Sequence, residues 1–519
     1  MLISDHLLLN YKRCNRRTFL ETFGNPQDQD PAKDFLLKLK RENRTHIRNV
    51  IQGRSLEPDF PQASRRDWQL NAQQTIELMH QGVDCIAQGT LTVDYSQWQS
   101  NRQNNKDTLE PLISNHAADF LAQITLIAAP SLLIKEPGTS IFGNWSYMPV
   151  NIKLGRKPKP EYKLIAAFHA QILAIIQEGI PERSPLILKE HNSYQINLAH
   201  GLTQMQETVT ECLTMLANHH EPEVFISRQR CSLCNWYGYC HQVAKASEHL
   251  SLIPGVTPKR YEYLQSLGVN TVQSLVNIAP VHLEETLGYD VAHQLKQQIT
   301  AIQSDRPLVR SNFDLVNTQP IPSEAIELYF DIEAEPERQT DYLLGVLLVD
   351  RINNTEQFHA FLAENLEDEG KIWQEFLDFI ALYPDAPIFH YSEYEADTIK
   401  RLAQLYDTPR NQKKEILSRL VDLHLWVTEA VIFPVESYSL KALANWIGFY
   451  WRETKGSGDQ SVCWYDQWLH TQDRALLDLI LSYNEDDCRA TRYLKDWLLD
   501  FMEYQRNQRL ELMVGEVGR

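Results

Sequence analysis

Three cysteines crowd into the run CSLCNWYGYC, spaced C-x2-C-x5-C as Cys231, Cys234 and Cys240, and a fourth, Cys14, stands far upstream in NYKRCNRRTFLETFG. Thiols separated by two residues can turn back onto one metal centre, and soft thiolates suit zinc or iron–sulfur clusters. A lone N-terminal cysteine completed by a later triplet clamps the two ends of a domain together. The pattern therefore closes a first folding unit near residue 245. The spacing alone leaves a three-cysteine zinc knuckle and metal-free buried thiols open. His241, directly after Cys240, keeps zinc among the options. Disulfides are the weakest option, because nothing marks the chain as secreted and Cys85, Cys212, Cys463 and Cys488 are scattered.

A chain of 519 residues is too long for one ordinary domain and implies two to four. The start MLISDHLLLNY runs straight into KRCNRR, so its basic charges follow the apolar part and do not form a signal peptide. No apolar run is long enough to span a bilayer, and a cytoplasmic protein is expected. The net charge of −18 argues against a generic nucleic-acid coat, but not against metal-dependent phosphoryl chemistry, which needs clustered carboxylates. Basic residues gather in the first third, at 12–17, at 38–48 and around Lys153, Arg156 and Lys157. Each group alone reads as a solvated face; three on one domain point to a polyanion-facing surface.

Three segments follow from the patterning, all of α/β character or helical. Residues 1–245 combine helical periodicity over 31–53 and 69–81 with strands at 123–134 and 147–154 and a helix over 161–178. Residues 246–312 begin with the Pro254-Gly255 turn between apolar segments and read as a helix–hairpin–helix element or a plain helical linker. In the first case Gly255 lets the backbone approach a phosphate. Residues 318–519 read as three strands, a helix, a strand and a helix, ending in a long helix from about residue 474. That is the ribonuclease H-like order of a mixed sheet flanked by helices.

Asp331 and Glu333 stand at i and i+2 near the end of the first of those strands, so alternation aims both carboxylates the same way. A polar pair in an apolar strand is costly unless paired or metal-bound, and hard oxygen ligands suit Mg²⁺ or Mn²⁺. Tyr483 and Asp487, four apart in YNEDDC, share a helix face. Asp397 and Asp486 compete for the same chemistry from different faces, and Asp422 is either a further ligand or a cap.

The early cysteine and the late triplet resemble the iron–sulfur nucleases of the RecB and AddB type, including CRISPR-associated exonucleases of that fold. Nearly the whole chain resembles a bacterial RecB-like family in which such a restriction-endonuclease-like domain is fused to a ribonuclease H-like exonuclease domain. The resemblance implies a 4Fe-4S cluster on Cys14, Cys231, Cys234 and Cys240. It places Glu395, in HYSEYE after aromatic Tyr394, at the second acidic position of the 3′–5′ exonucleases, and makes Tyr483 and Asp487 their Tyr-x-x-x-Asp motif. Asp331, Glu333, Glu395 and Asp487 would then hold two metal ions, with Tyr483 positioning the attacking water.

The RecB-type site departs from its family. Lys153 is present, but Asn151 stands where an acid belongs, Ser131 where an Asp belongs, and Ile165-x-x-x-His169 where the family has Gln-x-x-x-Tyr; Glu77 aligns only loosely. The expectation is a catalytically degenerate, nucleic-acid-binding first domain and a C-terminal 3′–5′ exonuclease acting on DNA or RNA, with single strands favoured. The rival is a non-catalytic nucleic-acid-binding or adaptor protein with both sites inactive.

Overall fold

A computed structural model describes residues 1–101, 115–189 and 193–517. The chain divides into two compact units, Met1–Val243 and Ala244–Arg519. The 246–312 segment thus lies in the second unit.

The strands of the first unit are β1 (Leu2–Ser4), β2 (Cys85–Ala87), β3 (Leu91–Asp94), β4 (Thr125–Ala128), β5 (Leu132–Ser140), β6 (Gly143–Ile152), β7 (Pro185–Ile187) and β8 (Ser193–Gln195). They form a three-stranded sheet ordered β1-β4-β3 and a five-stranded sheet ordered β2-β5-β6-β7-β8. The single strand expected over 123–134 is two, because Pro130 lacks an N–H and interrupts the ladder. Its two halves serve different sheets. The core gathers on the helix Pro160–Gln177, whose Leu164–Ala174 stretch is buried throughout. Pro160 begins that helix, where a missing N–H costs nothing.

The ends of this unit meet. Cys14 is an extended residue between the helices Asp5–Arg13 and Asn15–Phe23. Residues 228–240 return to them. Asp30 N donates to Asn235 O at 2.7 Å, and Gly238 N donates to Asp30 Oδ2 at 2.8 Å. Buried Trp236 packs on Gly24, where a Cβ would sit 2.6 Å from the indole, so only glycine admits the contact.

In the second unit, four helices (Pro258–Ser266, Val272–Asn277, Pro280–Leu287 and Tyr289–Ser304) precede the sheet. Lys296 Nζ donates to the carbonyls of Leu275, Val276 and Ile278, which satisfies the C-terminus of the second of them. The strands are β9 (Leu308–Val309), β10 (Ile326–Glu335), β11 (Thr340–Asp350), β12 (Thr355–Leu362), β13 (Ile388–His390), β14 (Leu420–Asp422) and β15 (Val431–Ile432). Five make one mixed sheet, ordered β12-β11-β10-β13-β14. β11 runs antiparallel to β10, and β13 runs parallel to it. The helices Glu369–Ala381, Glu393–Leu405 and Gly458–Thr471 flank the sheet, and the last helix, Arg474–Val517, crosses β10 and β11. Among the described residues no helix is long and apolar enough to cross a membrane.

Candidate active site

β10 and the last helix build the site together. Carboxylate oxygens of Asp331, Glu333 and Asp487 all lie within 4.8 Å of one another. Strand alternation accounts for the first two, and Asp487 is brought to them by the helix. Among the described residues none of the three forms an ion pair. Their partners are neutral donors: Asn484 Nδ2 to Asp331 Oδ2 at 2.7 Å, Trp451 Nε1 to Asp487 Oδ1 at 2.8 Å, Tyr483 to Asp487, and Ser461 to Glu333. Ser461 Oγ also lies 2.7 Å from the Tyr342 hydroxyl.

Asn484 reaches Asp331 because Gly345 makes room. Gly345 is the β11 residue paired with Asp331, and a Cβ there would fall 1.7 Å from Asn484 Oδ1. That amide oxygen is buried and has no hydrogen-bond partner among the described residues. The centre is therefore rich in acceptors and short of cations.

Burial raises the pKa of Asp331 and Glu333 well above the usual carboxylate range, and the neighbouring charge of Asp487 raises both further. Asp487 is pushed up to about 7 by burial, against the lowering effect of the Trp451 and Tyr483 hydrogen bonds. Burial and the carboxylates also hold the Tyr483 phenol in its protonated form. Three acids that resist ionisation together, with an open amide oxygen beside them, fit a hard divalent cation, whose charge would offset their repulsion.

Glu395 stands apart from that triplet. It is buried in the first turn of the Glu393–Leu405 helix, 3.4 Å from both Ser392 Oγ and His390 Nδ1. Its charge nevertheless reaches Asp331. Ser392, which caps this helix, has φ 121° and ψ 176°, a region that costs a non-glycine residue about 1–3 kcal/mol. The competing acids are occupied elsewhere. Asp397 pairs with Lys400 on the surface, Asp486 pairs with Arg452, and Asp422 caps the helix Leu423–Ala430.

In the first unit the four thiols of Cys14, Cys231, Cys234 and Cys240 are half-buried, and each of the last three senses the charge of Cys14. Burial raises all three, Cys240 to about 11, and the adjacent Arg16 opposes that rise. Among the described residues no three of these sulfurs lie within 4.8 Å of one another.

Lys153 follows β6, with Arg156 and Lys157 exposed on the loop beyond it. Glu77 is exposed and accepts from Gln73. An acid that the sequence reading passed over, Asp5, holds the buried His169 at 2.9 Å. Burial favours its neutral form, but the His169 hydrogen bond and the charges of Lys153 and Arg65 keep it below the ordinary range. Burial lowers the pKa of Lys153, and Asp5 opposes that shift. Asp5 was legible only as the acidic first residue of a helix after an N-cap serine. In the second unit Gly255 adopts φ 93°, and its carbonyl accepts from Arg260 at 2.7 Å.

No curated protein matches the chain. Residues 328–499, which contain β10, the carboxylate triplet, Glu395 and Tyr483, match a family model of the RNase H superfamily, RNase_H_2, and so the second unit carries an RNase H-like domain of the nuclease kind.

Proposed function

We propose that the protein is a metal-dependent 3′–5′ exonuclease acting on single-stranded DNA or RNA through its RNase H-like domain. The observation that carries this is the convergence of Asp331, Glu333 and Asp487, unpaired with any cation among the described residues, on one face of β10. An adaptor with an inactive site calls for splayed or salt-bridged acids instead. Asp331, Glu333, Asp487 and Glu395 would hold Mg²⁺ or Mn²⁺, which supplies Lewis-acid activation of water and stabilises the leaving oxygen when bound. The chain's own residues do the rest. Tyr483, anchored on Asp487, offers a protonated hydroxyl to orient a water. Asn484 fixes the Asp331 carboxylate, and Trp451 fixes that of Asp487.

The first unit serves as a degenerate RecB-type scaffold for the nucleic acid, with Lys153, Arg156 and Lys157 on its strand-facing side. Gly255 begins a helix–hairpin–helix contact to phosphate. Cys14, Cys231, Cys234 and Cys240 hold a 4Fe-4S cluster. Four soft thiols with Arg16, Arg17 and Arg230 nearby suit a cluster.

Asp331→Asn tests the catalytic proposal. It is expected to abolish Mn²⁺-dependent degradation of single-stranded DNA or RNA while circular dichroism stays unchanged; undiminished activity would reject the assignment. Metal-dependent cleavage by the first unit's own site, seen as residual activity in Asp331→Asn that Lys153→Ala removes, would reject its description as degenerate.

A further inference from the structure

Ser392-Glu393-Tyr394-Glu395 has the spacing of a capping box, in which the glutamate at the third helical position folds back to accept the N–H of the capping serine. The serine caps the helix, but through the second helical position and not the third: Tyr394 N donates to Ser392 Oγ at 3.3 Å. The return contact from the Glu395 carboxylate to Ser392 N is not formed. Ser392 N donates instead to Asp422 Oδ1, at 3.2 Å. Asp422 ends β14, where it pairs with His390 of β13, and the same oxygen accepts from His424 N at 2.8 Å and Leu425 N at 3.3 Å. Ser392 sits in a backbone region that only glycine enters readily, and such a residue persists only where its surroundings hold it. Asp422 on its N–H and His390 Nδ1, 2.7 Å from its carbonyl, are the groups that hold it.

The consequence falls on Glu395. With the Ser392 N–H already taken, its carboxylate has no backbone donor to cap and rests buried beside His390 and the Ser392 hydroxyl, with its charge felt at Asp331. We infer, on the basis of the exonuclease reading above, that Asp422 is a positioning residue for the metal centre. By accepting the Ser392 N–H it keeps Glu395 out of its own helix cap and leaves that carboxylate available toward Asp331. Without Asp422 the box closes: Glu395 turns back onto Ser392 N, and the centre loses an acid although all of its ligands remain in the chain.

Two substitutions in the full-length protein separate this role from simple helix capping. In Asp422→Ser a hydroxyl still caps the Leu423–Ala430 helix but is too short to reach Ser392 N. In Asp422→Asn an acceptor oxygen remains for both. Mn²⁺ binding is measured by calorimetry without substrate, alongside the thermal midpoint. Asp422→Ser is expected to bind Mn²⁺ about tenfold more weakly at one site, the usual scale for a lost supporting contact, with its midpoint little changed. Asp422→Asn is expected to stay within about threefold of the parent. Wild-type Mn²⁺ affinity in Asp422→Ser overturns the inference while leaving the exonuclease reading intact, and so does equal weakening in Asp422→Asn. If the unsubstituted protein shows no Mn²⁺ binding that Asp331→Asn removes, the exonuclease reading itself fails, and the role of Asp422 with it. Should Asp422→Ser not fold, Asp422→Thr supplies the same local cap and carries the same expectations.

Discussion

Asp487 is the acid whose proton affinity, near 7, falls where solution conditions change its charge. Its pKa is raised in the folded state above the ordinary carboxylate value. The folded protein therefore holds a proton that the unfolded chain has released, and the stability this confers is complete below about pH 4 and lost as pH rises through about 7. Metal ions compete for the same oxygens. Mn²⁺ is thus expected to raise the thermal midpoint more at pH 8 than at pH 6, a difference that scanning fluorimetry at the two pH values would read. The Asn484 contact gives a second prediction at this scale. Gly345→Ala forces a methyl against Asn484 Oδ1, so a loss of about 2 kcal/mol in chemical denaturation is expected, together with weaker Mn²⁺ binding. Asp331 and Glu333 were legible because strand alternation is a local rule. Gly345, Asn484 and Trp451 were not, since each acts on a partner contributed by another element. In the chain Trp451 is one more aromatic in IGFYW, and only the fold aims its N–H at Asp487.

The elements are held to one another by buried charge as well as by apolar surface. Lys495 on the last helix and Glu327 on β10 are both fully enclosed, with Nζ 2.6 Å from Oε1. Arg351 at the end of β11 joins Glu327 to Asp496 of the same helix. Removing Lys495 takes one charged partner from Glu327 in a dry interior and leaves it Arg351 and the Tyr329 and Ser323 hydroxyls. Lys495→Met is expected to cost about 2–3 kcal/mol in urea unfolding, because the buried carboxylate loses one of its charged hydrogen-bond partners. The sequence reading did not single out either residue, because a lysine and a glutamate far apart in the chain carry no sign of pairing. Strand and helix order over 326–405, by contrast, was readable from periodicity, whereas the short strands β1, β2, β3, β7 and β8 were not. Where the reading slipped, at 123–134, the cause was one proline inside an apolar run, whose break matters only once two sheets compete for its halves.

At the scale of the molecule, the cysteines and the carboxylates belong to different units. The proposed cluster should then be separable from the proposed catalysis. Cys14→Ser is expected to lower the iron content of anaerobically purified protein and to expose residues 1–245 to limited proteolysis, while Mn²⁺ affinity at the carboxylates stays within about threefold of the parent. Iron-free, zinc-loaded protein would reject the cluster. Local rules of alternation, helical spacing and ligand softness are written into consecutive residues. They sufficed to single out Asp331 and Glu333, the spaced thiols and the strand and helix order over 326–405, whereas Glu395 was picked out by the family resemblance. Tertiary structure decided which of those groups meet. It drew Asp487 onto Asp331 and Glu333, left Glu395 beside His390, gave Asp422 the N–H that Glu395 would otherwise cap, and set Asp5 against His169. Those outcomes turn on burial and on competition for hydrogen-bond donors between elements remote in the chain, and no window of sequence contains both competitors.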